Sequence, residues 1–149
     1  MAMEKRHVWA VLLVTCIVSL LASGCADKNS PRGTVMLFLG AVKAANRVEL
    51  DNILSFDRLI IEEDGEKYAS LPPQEQAPYL ANFKENMLTS LTKGKLRFFG
   101  QIDAQVRDER VSGDKAEVVI YEKENKSKAY AFTLAREGGK WKIYRIVTI

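Results

Sequence analysis

The chain has 149 residues with 22 Lys plus Arg against 19 Asp plus Glu, a net charge of +3, and 47% of its side chains are hydrophobic. That length suits one globular domain with a core of its own, and a charge so close to neutrality carries no nucleic-acid footprint. The chain holds two cysteines, Cys16 and Cys25, and one histidine, His7, all within its first 25 residues.

Lys5 and Arg6 precede an uncharged run of fifteen residues, Val8 to Ala22. A spanning helix needs roughly 20 apolar residues to cross a hydrocarbon core about 30 Å thick, so this run has the length of a secretory h-region. The uncharged stretch reaches nineteen residues if counted to Ala26, which keeps a retained membrane anchor as the alternative. Small residues Ala22, Ser23 and Gly24 then lead to Cys25. They let an extended backbone enter a peptidase cleft, and the thiol after them is a nucleophile able to carry a thioether-linked lipid.

Leu21 to Cys25 resembles the lipobox of bacterial lipoproteins, in which the signal peptidase cuts between the residues matching Gly24 and Cys25. The resemblance implies a signal peptide over residues 1–24, lipidation of Cys25, and a tether over residues 25–30. Several acyl chains hold a protein firmly where one binds marginally, at about 0.8 kcal/mol per buried methylene. Ala26, rather than an aspartate, follows the cysteine, which resembles lipoproteins passed to the outer membrane, facing the periplasm. A chain so processed keeps 125 residues with 20 basic against 18 acidic side chains, a balance of +2. It keeps no free thiol and no histidine, which excludes histidine-dependent triads and cysteine or histidine zinc sites. No cofactor is implied.

Ser30 and Pro31 read as the N-cap and first residue of a helix carrying Val35, Phe38, Leu39, Val42 and Ala45 on one stripe, with Asn46 as its stop. A second, shorter helix is expected over the run from Glu49 to Ile61, with Leu50, Ile53, Leu54 and Ile61 on one side. Charges, Gly65 and three prolines between Glu62 and Pro78 read as a long, mobile connection. A third helix begins near Tyr79, buries Leu80, Phe83, Met87, Leu88 and Leu91, and stops at Gly94.

From Lys95 the period changes from 3.6 to 2. Four strand-like runs follow, separated by Ser112-Gly113-Asp114, Glu124-Asn125-Lys126 and Gly138-Gly139, turns short enough to demand an antiparallel meander. Gly100, inside the first run, is expected to bend that strand. Val118 and Ile120 oppose Val119 and Tyr121, while Trp141, Ile143 and Val147 share a side. A sheet apolar on both faces must line a concavity, meet a partner or curl over.

Helices followed by a curved meander resemble the nuclear transport factor 2-like superfamily, a cone-shaped α+β fold, and most closely its small bacterial lipoproteins with a domain of unknown function. The residues carrying the resemblance are Ser30, Pro31, Val35 and Phe38, then Asp114, Ala116, Val118 and Ile120, then Phe132, Leu134, Gly139, Trp141, Lys142 and Ile143. It covers about Ser30 to Ile149 and implies two to three helices packed on a four-stranded sheet as a single domain over residues 31–149. It also implies a pocket at the open end of the cone.

Met87, Phe99, Tyr121 and Tyr144 are the candidate pocket residues; the three aromatics are expected on the sheet face turned away from the helices. Trp141 reads as a core anchor. The acidic residues Glu62, Glu63, Asp64 and Glu66 lack the alternating spacing of a calcium loop. Lys93, Lys95 and Arg97 suit the exit of a helix, where cations meet the dipole favourably. The sequence therefore points to a lipid-anchored envelope protein, non-catalytic, binding a hydrophobic small molecule or an envelope protein. Its rivals are an isomerase-like or hydrolase-like enzyme with a buried carboxylate, Asp57 or Asp103, and a structural or assembly accessory.

Overall fold

The computed structural model describes residues 27–149; the signal segment, Gly24 and Cys25 lie outside the described residues. Helix α1, Pro31–Lys43, starts as its first residues dictate: the Ser30 hydroxyl accepts the Gly33 N–H at 2.9 Å, and Pro31 occupies a position with no helical partner for an N–H. Its first turn also donates the Arg32 N–H to Glu109 of the sheet, at 3.1 Å. That places a carboxylate at the positive end of the helix dipole. Val35, Phe38, Leu39 and Val42 form the buried stripe.

The chain leaves α1 through Ala45, which adopts a left-handed φ of 52°. Asn46 is not a stop but the cap of the next helix, its side chain accepting the Glu49 N–H at 3.1 Å. The expected single second helix is two, α2 over Arg47–Ile53 and α3 over Phe56–Ser70. Leu54 and Ser55 between them are extended or half-extended because the sheet claims their backbone. Leu54 pairs in parallel with Ile143, and the Ser55 N–H donates to the Ile143 carbonyl at 2.9 Å.

The expected mobile connection is helical. Helix α3 runs through Gly65 to Ser70, and α4 spans Pro73–Thr92. Pro72 and Pro73 mark a boundary rather than a loop: Leu71, ahead of Pro72, is pushed to ψ 143°, and Pro73 opens α4 where no N–H is needed, while Pro78 lies inside α4. Glu, Lys and Gln around them are good helix formers. The one irregularity is a kink at Asp64, φ −148° and ψ 31°, where the Tyr79 hydroxyl of α4 donates to the Asp64 carboxylate.

Lys95–Gln101 is a 3-10 helix, so the first strand-like run is strand only from Ala104. Gly100 therefore bends no strand. A Cβ there would stand 2.6 Å from the Lys43 backbone, so the glycine lets the 3-10 turn close against the end of α1. Strands β1 (Ala104–Ser112), β2 (Lys115–Glu122), β3 (Ala129–Glu137) and β4 (Lys140–Thr148) form an antiparallel sheet in the order β1-β2-β3-β4. Gly138 and Gly139, both at positive φ, make the two-residue turn that suits a right-twisted hairpin.

Irregularities in the ladder fall at two places, the extra residue Arg107 in β1 and the extra residue Tyr144 in β4. The second one corrects the facing of the last strand. Trp141 and Ile143 point into the core, but after the bulge Ile146 stands opposite Phe132 on that side and Val147 turns away. The main core joins α1, α2, the start of α3, the end of α4, the 3-10 helix and one sheet face. Phe38 sits among Phe99 and Phe132 in edge-to-face contacts of 5.6 and 5.7 Å. The opposite sheet face carries a smaller apolar cluster, Val119, Ala129 and Ala131, flanked by Tyr121 and Val147.

Candidate functional site

An apolar concavity opens between α3, α4, the 3-10 helix and β4, with a volume of about 340 Å3. Each element supplies residues at its own period. Leu59 and Glu63 lie one turn apart on α3, Met87 and Leu91 one turn apart on α4, and Ile146 and Thr148 two apart on β4. The 3-10 helix adds Leu96, Phe98 and Phe99, and Leu54 closes the floor.

Leu54, Leu59, Leu91 and Phe99 are buried, whereas Phe98, Glu63 and Thr148 are exposed, so the cleft has an apolar floor and a mixed mouth. Phe98 stacks on Phe99 with ring centroids 4.3 Å apart, which fixes the aromatic wall. Behind it lies Tyr130, 5.4 Å from Phe99. Burial, and secondarily the charge of Glu122, holds the Tyr130 phenol above its usual range. An apolar lining with few convergent polar groups is what small-molecule sites have, and 340 Å3 stands at the lower end of their range of about 300–1,000 Å3.

Three larger concavities are more polar; the smallest of them, about 380 Å3, lies between α3, α4 and the sheet and includes Asp57, Lys84, Glu137 and Lys142, and the remaining two lie elsewhere. One, about 550 Å3, lies between α1 and the 3-10 helix and includes Lys43, Arg97 and Asp103. The other, about 540 Å3, sits by the β2–β3 turn among Glu122, Lys123, Glu124 and Lys128.

Of the candidate pocket residues, the fold brings Met87 and Phe99 into the cleft and separates the other two. Phe99 is not on a strand and faces the helices, a correction that follows from the 3-10 conformation of its segment. Tyr121 stands on the far sheet face, its hydroxyl donating to Gln105 Oε1 at 2.6 Å. Tyr144 is the bulged residue of β4, half-buried, with the Arg58 guanidinium 5.5 Å from its ring centre. Trp141 is buried in the core beneath Arg136, 4.8 Å away.

Asp57 is exposed, and Asp103 pairs with Lys123 at 2.8 Å with 69% of its side chain open to solvent. Both line concavities, but neither is buried, as a carboxylate base would have to be. The acidic run disperses: Glu62 lies 3.6 Å from Arg145, Asp64 accepts from Tyr79, and Glu63 turns to the cleft. Among the described residues, no group of three or more His, Cys, Asp and Glu side chains is placed to hold a metal ion. Lys93 closes α4, and Lys93, Lys95 and Arg97 are all exposed.

Sequence reasoning missed Glu63, Leu96, Phe98 and Ile146. The spacing of Leu59 and Glu63 would have joined them on one face had the helix been extended past Ile61, whereas Ile146 could be found only from the ladder. No helix among the described residues is long and apolar enough to cross a membrane. The chain matches no family model and no curated protein.

Proposed function

We propose that this chain is a lipid-anchored protein of the bacterial envelope whose domain, a nuclear transport factor 2-like cone, holds a small hydrophobic molecule without transforming it. The observation that carries the reading is the cleft of Met87 and Phe99, where every buried lining residue is apolar. The order of helices before a four-stranded meander supports the cone. Anchoring rests on Leu21 to Cys25, with a polar tether that keeps the domain near the bilayer.

Organic extraction of the protein purified from its membrane fraction tests the ligand. A stoichiometric apolar compound is expected in wild type, and it is expected to be lost in Met87→Lys, which places an ammonium in the cleft. Equal recovery from both would overturn the reading. Intact mass then tests the anchor: loss of residues 1–24 with added acyl mass is expected, and a retained segment without acyl mass would make it a membrane span instead.

A second reading, an envelope protein partner, draws on the far face of the sheet, where the half-buried Tyr121 and Val147 flank the buried cluster of Val119, Ala129 and Ala131. A photo-crosslinking residue at position 121 is expected to trap a discrete partner in cells under that reading. Absence of any adduct, with cleft ligand present, would leave the small-molecule reading alone.

A further inference from the structure

Resting on the small-molecule reading of the cleft, the charge of its mouth defines the ligand further. Glu63 is the one charged residue in the lining, and no Lys or Arg lines the cleft to balance it. The carboxylates beside it are engaged, Glu62 with Arg145 and Asp64 with Tyr79. Glu63 itself takes part in no ion pair or side-chain hydrogen bond among the described residues. The exposed Thr148, a hydroxyl that accepts as well as donates, also lines the cleft.

We propose that the cleft takes a small cationic amphiphile, a protonated amine on an apolar chain or ring. The apolar part lies on Leu59, Met87, Leu91 and Phe99, and the ammonium sits at Glu63. An ammonium offers three donors and no acceptor, which matches an unpaired carboxylate. A fatty acid in the same pose would set two carboxylates together, and like charges at close range disfavour that complex. The volume of about 340 Å3 suits a single short chain or ring system rather than a whole phospholipid.

The test compares decylamine, decanol and decanoate on the protein as extracted from the expressing cell and reconstituted in phosphatidylcholine nanodiscs, with 13C-methyl methionine. Met87 reports the cleft, and Met36, in the groove beside α1, reports the rest of the domain. The Met87 resonance is expected to shift with decylamine at about fivefold lower concentration than with decanol, a ratio set by one partly solvated ion pair. Decanoate is expected to be weakest. Glu63→Gln, on an exposed helix face, is expected to bring the amine-to-alcohol ratio to about one, and Glu63→Lys to favour decanoate.

Equal response to amine and alcohol in wild type would overturn the cationic class while sparing the cleft. An amine preference that survives Glu63→Gln would overturn the role of Glu63. A Met87 resonance unmoved by all three probes would overturn the small-molecule reading as well.

Discussion

Glycine 100 shows how a single residue sets the geometry of the site. Its hydrogen faces the Lys43 backbone, and a methyl group there would overlap it at 2.6 Å. Gly100→Ala is expected to cost roughly 1–3 kcal/mol, the range for forcing an atom into a packed interior, measured by urea unfolding. It is also expected to disturb Phe98 and Phe99, which precede it on the same turn. Tyr130 gives a pH dependence with a definite sign. Its folded phenol titrates above its usual value of 10.0, chiefly through burial and secondarily through Glu122, so the unfolded chain releases that proton first. This contribution is fully present below about pH 10 and is lost as pH rises from the unfolded pKa through the folded one. Thermal scans from pH 8 to 11 are expected to show Tm falling less steeply above pH 10 in Tyr130→Phe than in wild type. The sequence shows Phe99 as an aromatic of a strand-like run; its burial among Phe38, Tyr130 and Phe132 comes from residues distant in the chain.

Helices α3 and α4 divide into an embedded part and an exposed one. Past Ile60 no side chain of α3 is buried, and in α4 Leu80 is the first to pack, partly buried, against the core, so the linked ends over residues 61–79 form an arm outside it. Tyr79 ties that arm together: it donates to Asp64, stands 6.2 Å from Tyr68, and lies under the Lys67 ammonium at 5.0 Å. Tyr79→Phe is expected to speed backbone hydrogen exchange over residues 64–79 and leave the four strands protected, because an arm without core contacts opens locally. At the other end of α3, the Ser55 hydroxyl donates to Glu137 Oε1 at 2.7 Å, and Arg58 Nε lies 3.0 Å from the same oxygen. Ser55→Ala is expected to destabilise the domain by about 1 kcal/mol in urea titration, the usual worth of one such bond. Composition alone made this region look like a loop, since prolines and charges are common in loops. Their positions at helix starts and on solvent faces are what composition does not report.

At the scale of the molecule, every residue of the main core and of the apolar cleft lies between Val35 and Thr148. The chain from residue 26 onward is therefore expected to unfold in one cooperative transition, with fluorescence of the buried Trp141 and far-ultraviolet circular dichroism coinciding in urea. Under the proposed anchoring, Cys25→Ser is expected to abolish the added acyl mass without changing that transition, since Cys25 precedes the whole core; intact mass beside the urea curve checks both.

Features controlled by local geometry can be read from the order of residues alone. Ser30 and Pro31 start a helix, the stripes of α1 and α4 follow from spacing, and Ser112-Gly113-Asp114 with Gly138-Gly139 dictates hairpins. Those features depend on neighbours within a few residues, and the α+β order of helices then antiparallel strands follows from them. The place of the cleft depends instead on long-range packing. The bulge at Tyr144 turns Ile146 inward, the break at Leu54 and Ser55 follows from pairing with Ile143, and the 3-10 turn places Phe98 and Phe99 against α4 and β4. Each of these is settled by a partner many residues away, where backbone hydrogen bonding and close packing outweigh the local period.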